Sequence, residues 1–237
     1  MNKRVFVVAA LGVAAVLVAG GLVASNMGFK ANYAMDGPGA NGSATGTNTL
    51  GLPYNQQTSI NNALDLILDI AADNGDVGNL LPTVASVSRK VRTTDLPDIY
   101  TGFSGNNFAI TPGEGYLVVI APTASPATVP YIIVGSHDPS LAIVLDGPGD
   151  NGSATGTQQW SYPYHSTAST ALELITEINA ASVSGDAVAS VSRKVRGTDL
   201  PDIYTGFSGN NFSLTPGEAY LIVIKSGNAT TYVPSHY

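Results

Sequence analysis

The sequence predicts an α+β fold that is mainly β: two tandem homologous domains, each a small antiparallel, barrel-like sheet unit with one amphipathic helix. Three observations predict it. Residues 84–120 return as residues 188–224 with only five differences: Thr93 to Gly197, Ala109 to Ser213, Ile110 to Leu214, Gly115 to Ala219 and Val118 to Ile222. Short apolar or alternating runs are punctuated by Gly, Pro and Asn, which is the pattern of strands and turns. A single stretch of helical periodicity occurs once in each copy.

The chain opens with Lys3 and Arg4, followed by an unbroken apolar run over residues 5–24. A basic start, an apolar stretch and small residues at its end describe a secretory leader, here cleaved after Ser25. The run is also long enough to span a bilayer, so an uncleaved signal anchor is the rival reading. Residues 1–25 are therefore assigned as leader, 26–138 as repeat 1 and 139–237 as repeat 2.

Phe29, Ala31, Tyr33 and Met35 alternate with Lys30, Asn32 and Ala34, the period of a half-buried strand. Leu141, Ile143 and Leu145 repeat it. Next, residues 36–47 recur as residues 146–157. Their Gly, Pro and Asn density marks a loop, and Pro-Gly fits the centre of a type II turn. Leu52-Pro53-Tyr54 and Tyr162-Pro163-Tyr164 then close short edge strands.

Ile60, Ala63, Leu64, Ile67 and Leu68 fall at helical spacing, predicting a helix over 59–72 capped by Thr58 or Ser59. Ala171, Leu172 and Ile175 predict its counterpart over 169–180, capped by Ser169 or Thr170. The offset between copies shrinks across the helix and its exit, which places a surface loop at 73–82.

In the repeated block, Ala85, Val87 and Val91 alternate with Ser86, Ser88 and Lys90, predicting a strand. Residues 99–103 and 108–111 flank Ser104-Gly105-Asn106-Asn107 as a hairpin. Thr111-Pro112-Gly113-Glu114 is a second type II turn. Residues 116–120 are apolar throughout, as in a strand covered on both faces. Residues 128–134 add a last strand.

In this order the block resembles a bacterial and archaeal extracellular module. That module is often tandem and ends in a Pro-Gly-x-Gly-Tyr-aromatic-Val signature, matched here by residues 112–118 and 216–222. Leu117 and Leu221 stand where the aromatic is usual, and Ala219 replaces the second Gly. The resemblance implies a compact β-rich surface domain and transfers no catalytic residue.

Composition narrows the function classes. Cysteine is absent, so disulfides and thiolate metal sites are excluded. Only 11% of residues are charged, and the net charge of −7 becomes about −9 without Lys3 and Arg4. Such a chain lacks the basic footprint of a nucleic-acid binder.

Asp146, Asp150 and Asn151 carry oxygens suited to calcium, but repeat 1 has Ala40 at the position of Asp150, which favours a plain Asx turn. Arg89, Lys90 and Arg92, with Arg193, Lys194 and Arg196, hold six of the ten basic residues. Asp95, Asp98 and Glu114, and Asp199, Asp202 and Glu218, accompany them. The simplest reading is local ion pairing across strands; the sharper one is a basic stripe that meets acidic surface on another subunit.

His137 and His236 are equivalent and His165 stands alone, which is too dispersed for a metal site. Ser136, His137 and Asp138 are consecutive, which is not a triad's geometry. Tyr54, Tyr100, Tyr116, Tyr162, Tyr164, Tyr204, Tyr220 and Trp160 are either core or a sugar platform. Asn41, Asn151, Asn211 and Asn228 lie in glycosylation sequons.

These features predict an exported, non-enzymatic structural or cell-surface protein, a subunit of an extracellular filament or surface layer. No catalytic, cofactor-binding or metal-binding residue is assigned, and no cofactor. The alternative is a secreted module that binds carbohydrate or another surface ligand. Self-association is expected through the terminal strands, residues 26–36 of one molecule against 229–237 of the next.

Overall fold

The computed structural model describes residues 28–52, 55–56, 59–76, 83–124, 127–136 and 138–236. The leader, Pro53, Tyr54, Thr58, His137 and most of the 73–82 loop lie outside these residues. In chain order, repeat 1 contains β1 (Phe29–Asp36), β2 (Thr47–Gly51), β3 (Asn55–Gln56), α1 (Ala63–Asp73), β4 (Val84–Lys90), β5 (Pro97–Tyr100), β6 (Gly115–Ile120) and β7 (Thr128–Ser136). Repeat 2 contains β8 (Ile143–Leu145), β9 (Thr157–Ser161), α2 (Ala171–Ala181), β10 (Val188–Lys194), β11 (Pro201–Tyr204), β12 (Ala219–Ile224) and β13 (Thr230–Tyr232). The protein is mainly β, built as two similar antiparallel units with one helix each.

Each unit has a four-stranded sheet, ordered β2-β6-β4-β5 in repeat 1 and β9-β12-β10-β11 in repeat 2. A smaller ribbon, β1-β7-β3 or β8-β13, completes it. The helix and the ribbon enclose one face of the four-stranded sheet. In repeat 1, Leu66, Ile67 and Ile70 of α1 meet Val84, Val87, Tyr116 and Val118 of the sheet and Met35, Val129 and Ile133 of the ribbon. In repeat 2, Leu174, Ile175 and Ile178 occupy the same place, with Trp160 filling the position of Leu50. The two cores are separate clusters, and neither contains a residue of the other repeat.

Both Pro-Gly turns have the predicted type II geometry. Gly39 and Gly149 sit at φ 83° and 92°, and Gly113 and Gly217 at φ 81° and 91°. The amide of Glu114 donates to Thr111 O at 3.2 Å, closing the turn. Tyr116 Oη accepts from the amide of Thr111 at 2.7 Å, so the buried tyrosine holds the turn to its own strand.

Four expectations are corrected. The first helix begins at Ala63 with Asn62 as its cap, not Thr58 or Ser59. The cap follows the acid: Asp65 lies three residues on and receives the Asn62 amide, while the Asn62 side chain receives that of Asp65. Thr170 with Glu173 repeats the box in α2. Asn62→Ala should therefore lower stability by about 1 kcal/mol, read from a denaturant melt, with Thr170→Ala equivalent.

The buried stripe also differs from the expected one: Leu66 and Ile70 are buried while Leu68 faces out. In β4 a bulge between Val84 and Ser86 shifts the alternation, so Val84 rather than Ala85 enters the core. The return arm of the predicted hairpin is not a strand. It leaves β5 to cap the helix, with the Ala63 amide donating to Phe108 O and Phe108 buried.

The terminal strands have partners inside their own repeats. β1 pairs along its whole length with β7, Tyr33 opposite Tyr131, and β8 pairs with β13. β1 and β13 are nevertheless each an outer strand of its sheet, paired on one side only.

Candidate functional site: the junction between the repeats

The second face of each four-stranded sheet turns toward the other repeat. β2 and β6 meet β9 and β12 at the junction, and β5 and β11 lie on the far edges of their sheets. The contacts are reciprocal, so the two repeats form an internal pseudo-dimer. The amide of Gly51 donates to Gly217 O at 2.8 Å, and that of Ser161 to Gly113 O at 3.0 Å.

The repeats also approach closely at Gly115, where an added Cβ would lie 2.4 Å from Ala219 Cβ and 3.0 Å from Gln159 Cγ. One of the five differences between the copies is thereby explained. Two alanines cannot face each other here, so one repeat carries glycine.

The second contact joins the Gly-rich loop of each repeat to the acidic turn of the other. Asp199 Oδ2 accepts from the amides of Ala44 and Thr45 at 2.7 and 2.8 Å. Asp95 Oδ2 accepts from Ala154 and Thr155 at 2.6 and 2.7 Å. Lys90 and Lys194 complete each carboxylate from within the same repeat. Both aspartates adopt positive φ, 58° and 55°, which Asp tolerates better than most residues and which aims the carboxylate across the junction.

Burial opposes ionisation of Asp95, but hydrogen bonds from Lys90, Thr155 and Ala154 outweigh it and hold its pKa at about 2. Asp199 is lowered too, first by Lys194 and then by the Thr45 and Ala44 amides against the cost of burial.

A third contact completes the pattern. Arg196 Nη2 donates to buried Asp36 at 2.8 Å, and Arg92 Nε lies 2.7 Å from buried Asp146. The hydrogen bond from Arg196 is the main cause of the lowered pKa of Asp36. Asn41 and Asn151 donate to the same two carboxylates from within their own loops. Asp150 Oδ2 accepts from the Gly147 amide, a plain turn contact. The three residues considered as calcium ligands are thus engaged in a turn and an inter-repeat ion pair.

The local reading of the basic blocks holds for the first arginine of each. Arg89 bonds Asp98 locally and lies 4.9 Å over the Phe108 ring, as Arg193 bonds Asp202 over Phe212. Arg92 and Arg196 reach acid elsewhere, and that acid belongs to the other half of the same chain. Spacing showed the charges but not this partnership, because residues separated by 160 positions meet only in the fold.

Beyond the close contact the two sheets diverge around a cleft of about 400 Å³. Its walls are pseudo-symmetric: Thr49, Ser88 and Leu117 from repeat 1 face Gln159, Ser192 and Leu221 from repeat 2. The cationic residues at its border, Arg89, Lys90, Arg193 and Lys194, are each bonded to an acid of their own repeat. The surface is consequently neutral, with aliphatic stems and hydroxyl or amide groups exposed.

The remaining candidates are dispersed. Tyr116, Tyr162, Tyr220 and Trp160 are buried in the cores, so they form no sugar platform; Tyr100 and Tyr204 are half-buried. Tyr164 is partly exposed and stacks edge-on with His165. Asp138 accepts from Ser140 in a short turn, and His236 lies in the last residues of repeat 2. Asn211 caps the start of α2 by accepting from Leu172.

No family model, curated protein or solved structure matches the chain. Among the described residues, no helix is long and apolar enough to cross a membrane.

Proposed function

We propose that the protein is an exported, non-enzymatic structural protein of the cell surface or extracellular space, and that its two repeats act as one self-associating building block. The observation that carries this reading is the use made of the repeated motifs. The Asp-Gly-Pro-Gly loop, the basic stretch and the Thr-Asp-Leu-Pro turn are the most strongly repeated features of the sequence. From them, Asp36, Asp146, Arg92, Arg196, Asp95 and Asp199 join one repeat to the other. Residues in such ion pairs are not free to act as acid, base or nucleophile without dismantling the junction. The apolar leader of residues 5–24 supports export.

Electron microscopy of the native extracellular fraction tests the proposal. A regular filament or layer containing this chain is expected. Protein that is dispersed and monomeric at every concentration would overturn it.

The cleft favours a second reading, a secreted binding module for an uncharged ligand such as a neutral carbohydrate. Its volume is in the range of small-molecule sites, and apolar walls with a few polar groups are typical of them. Titration with neutral oligosaccharides, read as chemical-shift changes at Leu117 and Leu221, separates this reading from the first.

A further inference from the structure

Six large apolar side chains are exposed in equivalent pairs: Leu96 and Leu200, Ile99 and Ile203, Phe103 and Phe207. Phe103 is 68% exposed and Phe207 97%, while Leu96 and Leu200 are each 66% exposed. All lie on or beside β5 and β11, the strands on the far edges of the two sheets. Each repeat therefore carries the same three exposed apolar side chains on or beside the outer strand of its four-stranded sheet, starting next to the Asp95 or Asp199 turn. Large apolar side chains exposed close together in the chain, and in both repeats alike, mark a candidate interaction site.

The patch is built rather than incidental. Phe103 sits in a tight turn where the Thr101 amide donates to Ser104 O at 3.0 Å and the Ser104 amide returns to Thr101 Oγ1 at 3.1 Å. Tyr100 Oη donates to Gly102 O at 3.0 Å, pinning the turn from below. Thr205, Ser208, Tyr204 and Gly206 repeat every one of these bonds around Phe207. Holding an aromatic ring in water on a rigid turn serves recognition, because little freedom remains to be lost on contact.

We infer that these two patches are the contacts through which copies of this chain join, patch against patch. The inference rests on the structural reading above and names its surface. Three features favour a second copy as the partner. A patch that meets its own equivalent must not carry net charge, and the carboxylates beside it are neutralised: Asp95 by Lys90 and Asp98 by Arg89. The two patches are the same, so whichever one is used, an identical one is left over. A body with two equivalent sites can take a neighbour at each, and contacts that do not close by symmetry grow into an open chain.

Main-chain pairing is not the mode of contact. Pro97 and Pro201 begin the edge strands without an N–H, and the Asn106 amide already takes Ile99 O. Contact is by side chains.

The test is a set of full-length secreted proteins: wild type, Phe103→Ser, Phe207→Ser and the double variant. Each is examined by light scattering and negative-stain microscopy over a concentration series, with thermal melts to confirm folding. The expected results are open chains for wild type, arrest at dimers for each single variant, and monomers for the double. Single variants that polymerise like wild type would overturn the patch assignment and leave the structural reading standing. A wild type that stays monomeric throughout would overturn both.

Discussion

Gly115→Ala is expected to destabilise the protein by about 2 kcal/mol, which for a chain of this size lowers the melting temperature by roughly 4–8 °C. The reason is space rather than backbone conformation. The new methyl would overlap Ala219 Cβ and press on Gln159 Cγ and the Trp160 carbonyl, all in the other repeat. The backbone amides of both repeats are hydrogen-bonded across this point, so the sheets have little room to part. Ala219→Gly should be nearly neutral alone and should restore most of the loss in combination. A coupling above about 0.5 kcal/mol in that double-mutant cycle establishes direct contact. Gly115→Ala melting like wild type would mean that the repeats do not meet here.

Asp95→Ala combined with Asp199→Ala is expected to be the more severe change. Each substitution removes a carboxylate that receives two backbone amides from the other repeat and a lysine from its own. The Asp95 and Asp199 side chains are only 11% and 16% exposed. Losing one partner of a buried charged pair costs about 3 kcal/mol or more, because the others are left desolvated. The same groups set an acid limit.

Both carboxylates have folded-state pKa values below the ordinary 3.8. Their contribution is therefore complete above about pH 4; that of Asp95 disappears as the pH falls through about 2, and that of Asp199 persists to lower pH. Stability measured from pH 7 to pH 2 should decline in that window. The decline should be shallower for Asp95→Asn with Asp199→Asn, which no longer titrate there. An equally steep decline in the substituted protein would place the acid sensitivity elsewhere, with Asp36 the next candidate.

Much of the local structure was legible because it depends on neighbours in the chain. The Pro-Gly turns were readable from residue type alone, since Gly113 and Gly217 occupy a region of φ that side chains disfavour. The strand through Phe29 and Met35 followed from its period. The helices were found but misplaced at one end, because Ser59 and Asn62 are both good caps and only the acid at Asp65 chooses between them. The bulge in β4 was invisible, because it is imposed by pairing with β6 rather than by the alternation of Val84–Lys90 itself.

By itself, the sequence determined the duplication, the mainly β class and the turn chemistry. Near-identity over residues 84–120 and 188–224 requires two units of one kind, whatever their packing. Only the tertiary structure decided where those units meet and what their charges do. Asp36 and Arg196 are 160 residues apart, and nothing local to either shows that one neutralises the other. Gly115 and Ala219 looked like ordinary drift between copies. They are a steric pair, because the repeats approach so closely there that only one of the two positions has room for a methyl group.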